Sequence, residues 1–303
     1  MAIAVSCCKL EMRLMLARLG GHLAIVEALK LTKPLQTMML LVGMYAGFYA
    51  GGGIVKPLWF HILIGLLGFL AIAATTAVNM VYDVDIDSIM ERTRNRPLPR
   101  GVFSRQRVLI LATITIVLTA ITSCILVNVY YAAAIVIGYL SDIYAYTLLT
   151  KRHTWLSVFA GSIAGASPAV GGYAAARGYV DVDGLLIGAL IVAWIPAHIW
   201  SLVIHYDEDY RRARIPMLPV IKGYRVGVVG STLSIVLTVA IATAIYVRGL
   251  MSPEFYIAGV AAGSAAVLML LRRCRPGSCI KTFRVVNMVL MLFLLGAVLS
   301  SIL

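Results

Sequence analysis

Residues 57–101 read PLWFHILIGLLGFLAIAATTAVNMVYDVDIDSIMERTRNRPLPRG. From Pro57 to Tyr82 no side chain is charged; Asp83, Asp85, Asp87 and Glu91 then follow, and six arginines from Arg92 to Arg107. A helix needs about 20 predominantly apolar residues to cross the hydrocarbon core of a bilayer. The stretch therefore reads as a membrane span that ends in a charged edge.

Outward from it, eight more stretches have the same apolar length. The expected spans are roughly 35–53, 57–81, 106–126, 128–148, 155–175, 183–204, 225–247, 253–271 and 283–302. Spans three and four nearly touch at Val127 and Asn128, so a tight turn is expected there. Little chain remains for a soluble domain. Of 303 residues, 61% are hydrophobic and 13% charged, with a mean hydropathy of +0.93, whereas soluble domains carry about 25% charged residues. That balance excludes an ordinary soluble enzyme, a disordered chain and a secreted disulfide scaffold. Since only helices and closed barrels satisfy the backbone in lipid, the expected fold is an all-α integral membrane protein with nine transmembrane helices. Residues 1–30 read as an interfacial arm and 31–303 as a single transmembrane domain, with active-site loops at 79–105 and 196–225. Cys7, Cys8, Cys124, Cys274 and Cys279 form no paired C-x-x-C set, so neither a zinc site nor a disulfide is expected.

The net charge of +13 raises the question of nucleic acid, and the positions of the charges answer it. Twenty-three of the 26 cations fall in the N-terminal arm or in loops after even-numbered spans; Lys56, Arg177 and Arg248 lie on the other face. Cytoplasmic loops collect Lys and Arg. The surplus thus reads as topology, with the N-terminus cytoplasmic and the chain in the cell (plasma) membrane, and no nucleic-acid partner is expected.

Ten of the thirteen acids lie on the cation-rich face or at the span ends beside it. Asn79, Asp83 and Asp87 recur at i, i+4 and i+8, a stripe on one helical face drifting about 40° per step. Asp85 points away from it. Three oxygen donors within two turns suit a hard divalent cation such as Mg²⁺, which keeps waters or substrate phosphates in its shell. The ordinary alternative is a solvated helix end whose acids balance the arginines beyond. Asn79 and Asp83 sit where the apolar run has barely ended, which favours the first reading.

A second cluster closes span six in WIPAHIWSLVIHYDEDYRRARIPMLPVIKG, 194–223. Asp207, Glu208 and Asp209 are consecutive, so one or two of them could meet a metal. Both clusters are followed by arginines and a proline pair, four spans apart. The pattern reads as two pseudo-repeated four-helix units plus a ninth helix, with binding at the repeat interface. Acid clusters ringed by Arg and Lys form a container for a Mg²⁺-chelated diphosphate.

Four blocks then resemble the intramembrane aromatic prenyltransferase superfamily, and within it the protoheme IX farnesyltransferase (heme O synthase) family. They are ALKLTKP at 28–34, NMVYDVDIDSIMERTRNRP at 79–97, YTLLTKRHTWLSVFAGSIAGASPAVGGYAA at 146–175 and PAHIWSLVIHYDEDYRRARIPMLPV at 196–220. The second and fourth together are specific. Leu35 stands where that family often has Arg, Arg214 where it usually has Gly, and YDEDY where the superfamily has a second DxxxD.

The resemblance implies transfer of a farnesyl (polyprenyl) group from its diphosphate to a vinyl group of heme B, with water addition. Asn79, Asp83 and Asp87, with Asp209 and Glu208, would hold Mg²⁺. Arg92, Arg96, Lys151 and Arg152 would grip the diphosphate oxygens. Tyr82, Tyr146 or Tyr206 would face the allylic cation, on the cytoplasmic side. A heme A synthase or terminal oxidase assembly is the implied partner. His198 would ligate heme iron or contact a propionate, against the plainer reading of a packed intramembrane histidine. For Gly161 and Gly165, close helix packing stands beside room for a flat macrocycle. The competing functions are another prenyl acceptor, a hydroxybenzoate quinone precursor or an archaeal lipid precursor, and a secondary transporter. A transporter would place its ionisable groups near mid-bilayer, whereas here the acids crowd one face and the span interiors are apolar apart from Asp142, near the cation-rich end of span four.

Overall fold

The computed structural model describes residues 20–300, and these contain helices and no strand. Residues 1–19, most of the expected interfacial arm, lie outside the described residues; the rest forms helix α1, Gly20–Leu31. Next come α2 (Pro34–Ala50), α3 (Leu58–Tyr82), the short α4 (Val84–Ile89), α5 (Arg105–Leu126) and α6 (Val129–Leu140). Helix α6 runs on as a π-helix over Ser141–Thr150. Then follow α7 (Ser157–Arg177), α8 (Val182–His205), the short α9 (Asp207–Arg212) and α10 (Leu218–Lys222), and α11 (Tyr224–Val247), α12 (Pro253–Arg273) and α13 (Ile280–Ser300).

Nine long helices thus occupy the nine expected positions among the described residues, but only seven are long and apolar enough to cross a membrane. The exceptions are α2 and α7. Helix α2 has 17 residues, about 26 Å at 1.5 Å per residue, short of a core about 30 Å thick. Helix α7 has the length, but Gly, Ala and Ser dominate it. These two pack on each other, and the reason is a pair of glycines. A Cβ on Gly47 would strike the Ala169 carbonyl and a Cβ on Gly172 the Met44 carbonyl, so the backbones approach as only Cβ-free residues allow. Of the expected pair, Gly165 does pack closely, since a Cβ there would strike the Ile195 side chain of α8, whereas Gly161 faces the Tyr146 ring at an ordinary distance.

Large apolar side chains such as Leu66, Leu111, Ile125 and Leu233 face outward, as lipid-facing positions should. The tight turn between α5 and α6 is built by Asn128, whose Oδ1 caps the Tyr131 N–H at 2.8 Å while Nδ2 donates to Ala174 O at 2.9 Å. Helix α13 packs against α2 and α8, so the two ends of the described chain close the bundle. Between α12 and α13 the structure joins Cys274 to Cys279. That corrects the expectation of no disulfide: the loop turns so tightly that the two Cα atoms lie 4.4 Å apart, within disulfide reach.

Candidate active site

Asp83 marks a break. Helix α3 ends there and α4 begins at Val84, yet the i→i−4 ladder continues, Asp83 N donating to Asn79 O at 3.0 Å and Asp87 N to Asp83 O at 2.8 Å. Asn79, Asp83 and Asp87 therefore stay on one face, all three buried. They line a cavity of about 770 Å³ enclosed by α2, α3, α6, α7, α8 and α13.

Each rung of this stripe meets one cation. Lys33 Nζ donates to Asn79 Oδ1 at 3.2 Å, Lys151 Nζ to Asp83 Oδ2 at 2.5 Å, and Arg96 Nη1 to both Asp87 oxygens at 2.8 Å. Local structure delivers each of them. Lys33 sits in the left-handed region, φ 44°, between α1 and α2. Burial and then the nearby Arg96 charge pull its ammonium down to about 8. Thr93 is buried and donates to Asp87 O at 3.0 Å, folding the MERTRNRP loop so that Arg96 returns over Asp87. Lys151 follows the π-helix, a geometry often found at functional sites. Thr147 and Thr150 each donate to a carbonyl five residues back, and Lys151 N donates to Tyr146 O at 2.7 Å. Burial works to lower the Lys151 ammonium, but the Tyr146 oxygen and the Asp83 carboxylate outweigh it and hold it above the usual lysine value.

The second arm repeats the break. Helix α8 ends at Tyr206, and α9 continues the ladder through Tyr206 N→Leu202 O and Tyr210 N→Tyr206 O. By phase, the counterparts of Asn79, Asp83 and Asp87 are Leu202, Tyr206 and Tyr210, and these three line the cavity too. The three acids lie off that stripe. Glu208 is 92% exposed, and Asp207 pairs with Arg211 at 2.7 Å. Asp209 is buried and accepts the backbone N–H of Glu91 at 3.1 Å and of Arg92 at 3.3 Å. Glu208 and Asp209, expected as metal ligands, are thus not brought to the cavity. Asp209 instead ties the first arm to the second. Arg92 is held over the Tyr206 ring, 5.5 Å from its centroid. Arg152 also turns away: its guanidinium pairs with Asp85 at 2.6 and 2.8 Å and donates to Tyr82 O.

Oxygen donors face the cavity at the stripe, and one is without a partner: Asp83 Oδ1 is buried and accepts no hydrogen bond. Among the described residues no three His, Cys, Asp or Glu side chains stand close enough to share an ion. Such a donor set suits Mg²⁺, which usually takes one or two carboxylates and completes its shell with waters and substrate phosphates. Deeper in, the lining is apolar, with Met44, Ile72, Ile135, Ile191 and Leu294.

Several lining residues were not expected. Lys33 carried a hint in ALKLTKP, and Asp142 was an acid inside an apolar span, itself a functional signal. Tyr210 and Asn287 carried none.

The description of the UbiA prenyltransferase family matches residues 40–296. A protoheme IX farnesyltransferase of Hyperthermus butylicus is 47% identical over 197 residues, covering 65% of this chain and 66% of that protein, just under two thirds of its length. One of Thermofilum pendens is 38% identical over 278 residues, covering 90% of this chain and 98% of that protein. A solved structure of a UbiA homolog from Archaeoglobus fulgidus bound to GPP and Mg²⁺ superposes with a TM-score of 0.72 at 15% identity, covering 91% of this chain and all of that one. At that identity the likeness concerns the fold.

Proposed function

The chain belongs to the UbiA prenyltransferase family and is an integral multi-pass membrane protein, and on that premise we propose that it transfers a farnesyl (polyprenyl) group from its diphosphate to a vinyl group of heme B. Water adds in the same reaction, giving heme O. The relatives named protoheme IX farnesyltransferase support this choice of acceptor. The observation that carries the chemistry is the stripe with a cation on every rung, set at one end of an apolar cavity.

Asn79, Asp83 and Asp87 would hold Mg²⁺, which when bound neutralises the diphosphate oxygens and stabilises the leaving group. The four cations Lys33, Lys151, Arg92 and Arg96 outnumber the three carboxylates Asp83, Asp87 and Asp142, so the wall of the site carries a small surplus of positive charge suited to an anion. Lys151 and Arg96 exchange carboxylate partners for phosphate oxygens by short side-chain movements. Charge-assisted hydrogen bonds of this kind then favour loss of pyrophosphate. The bond between the isoprenoid C1 and its oxygen breaks, and the allylic cation lies against the faces of Tyr146, Tyr206 and Tyr210. The terminal vinyl carbon bonds to C1, and water adds to the inner one and gives up a proton. The apolar depth holds the isoprenoid tail and keeps bulk water from the cation.

All nine long helices cross the bilayer in this reading, the less apolar α7 from inside the bundle. The cation-rich loops support a reading in which the N-terminus and the site lie at the cytoplasmic face of the plasma membrane, and in which the product passes to a heme-handling assembly such as a heme A synthase or terminal oxidase. The test offers labelled farnesyl diphosphate and Mg²⁺ with heme B, a hydroxybenzoate or an archaeal glyceryl phosphate in parallel. Label is expected in the heme fraction; label in another acceptor and none in heme overturns the reading.

A further inference from the structure

Helix α8 is continuous but carries Pro196 midway. Pro196 has no N–H to give, and one residue on, a side chain from α11 enters the ladder. Ala197 N donates to Ser234 Oγ at 3.0 Å, and that hydroxyl donates to Ala193 O at 2.5 Å. The hydroxyl thus bridges the Ala197 N–H and the Ala193 carbonyl, and insertions of this kind bend helices. His198 is the next residue.

Its ring is fixed from several sides. Nδ1 lies 2.6 Å from Asn287 Oδ1 on α13. The rings of Trp194 and Phe283 have centroids 4.5 and 5.0 Å from that of His198. Trp194 is itself held by its Nε1–H to Val286 O at 2.7 Å. An amide oxygen only accepts, so Nδ1 carries the proton and the neutral ring keeps its lone pair on Nε2. Nε2 makes no hydrogen bond among the described residues. His198, Asn287, Trp194 and Phe283 all line the cavity. An imidazole oriented through Nδ1–H, with a free Nε2 on a large cavity, is how proteins present histidine to a metal. A hard cation is served by the oxygen stripe, whereas a nitrogen among aromatic rings suits iron.

We propose that His198 ligates the iron of the tetrapyrrole acceptor through Nε2, with Asn287 and Ser234 as positioning residues that fix its tautomer and aim. This rests on the reading of heme as acceptor. Anchoring the macrocycle by its iron leaves the vinyl-bearing edge free to meet the allylic carbon.

The test uses the full chain in lipid nanodiscs, loaded with ferrous heme B and no isoprenoid diphosphate, and reads the iron–histidine stretch by resonance Raman spectroscopy. The wild type is expected to show this band. His198→Ala loses it, and added imidazole restores it. Asn287→Asp raises the frequency because a carboxylate acceptor makes the ligand more basic. Asn287→Leu lowers it and weakens heme binding about tenfold. If His198→Ala does not accumulate as folded protein, the two Asn287 variants decide alone. A band that survives in His198→Ala, or that moves in neither Asn287 variant, overturns the inference. Heme bound by the wild type without any such band overturns it while leaving the acceptor reading intact. No heme bound at all overturns both.

Discussion

Lys151 Nζ lies 2.5 Å from Asp83 Oδ2 across a sequence separation of 68 residues, with both side chains largely buried. The pair closes one wall of the cavity. It also leaves Asp83 Oδ1 free of any hydrogen bond, so the carboxylate is half committed and half available.

Removing Lys151 strands a buried carboxylate. Lys151→Met is expected to destabilise the protein by about 3 kcal/mol, and Asp83→Asn in the same chain should recover part of that. Each single change should lower turnover about 100-fold. Thermal unfolding in detergent for the double-mutant cycle checks the coupling, and additive effects would contradict it.

Two neighbouring acids should behave oppositely. Asp209→Ala leaves the Glu91 and Arg92 amides without an acceptor, at about 2 kcal/mol, and frees the loop that holds Arg92 over Tyr206. Its KM for the isoprenoid diphosphate should rise roughly tenfold. Glu208→Ala removes an exposed side chain and should change stability by less than about 0.5 kcal/mol. Steady-state kinetics on the two variants separates them; equal losses would restore Glu208 to the site.

The α2–α7 crossing predicts a contrast between glycines. Gly172→Ala puts a methyl into the Met44 carbonyl and should cost about 3 kcal/mol or block folding. Gly161→Ala meets the Tyr146 ring at 3.4 Å, an ordinary contact, and should leave stability nearly unchanged. The yield of monodisperse protein and its unfolding temperature read the difference.

Arg214 closes α9 in the left-handed region, φ 54°. Ile215 N donates to Tyr210 O and Arg214 N to Arg211 O, each at 3.0 Å, the paired bonds of a Schellman ending that normally takes Gly. Arg214→Gly should therefore be neutral or stabilising by up to ~1 kcal/mol, the strain relieved being offset by unfolded-chain entropy. Arg214→Val should destabilise, and thermal unfolding of the pair gives the sign.

Periodicity made the first stripe legible, because Asn79, Asp83 and Asp87 at four-residue spacing hold their face through the break at Asp83. The same logic failed on the second arm. Three consecutive acids carry no phase, and only the position of the break at Tyr206 reveals that Leu202, Tyr206 and Tyr210 are the facing residues. The cations at Lys33 and Lys151 depend on a left-handed residue and on a π-helix over Ser141–Thr150, neither of which leaves a mark in hydropathy. Asn287 reaches the cavity, and Ser234 the α8 backbone, by helix packing alone, far along the chain from the motifs. Apolar runs located all nine long helices, yet they overstated the length of α2, which ends at Ala50, and the apolar character of α7, because runs of Gly and Ala look apolar without being strongly so.

Heme prenylation is tested most directly by the mass of the product. The purified protein would be incubated with heme B, farnesyl diphosphate and Mg²⁺, and the extracted porphyrin weighed by mass spectrometry. Heme B heavier by one farnesyl and one hydroxyl group, absent when Mg²⁺ is chelated and formed about 100-fold more slowly by Asp83→Asn, is the expected result. Heme B of unchanged mass while pyrophosphate is released would contradict the assignment of heme as acceptor.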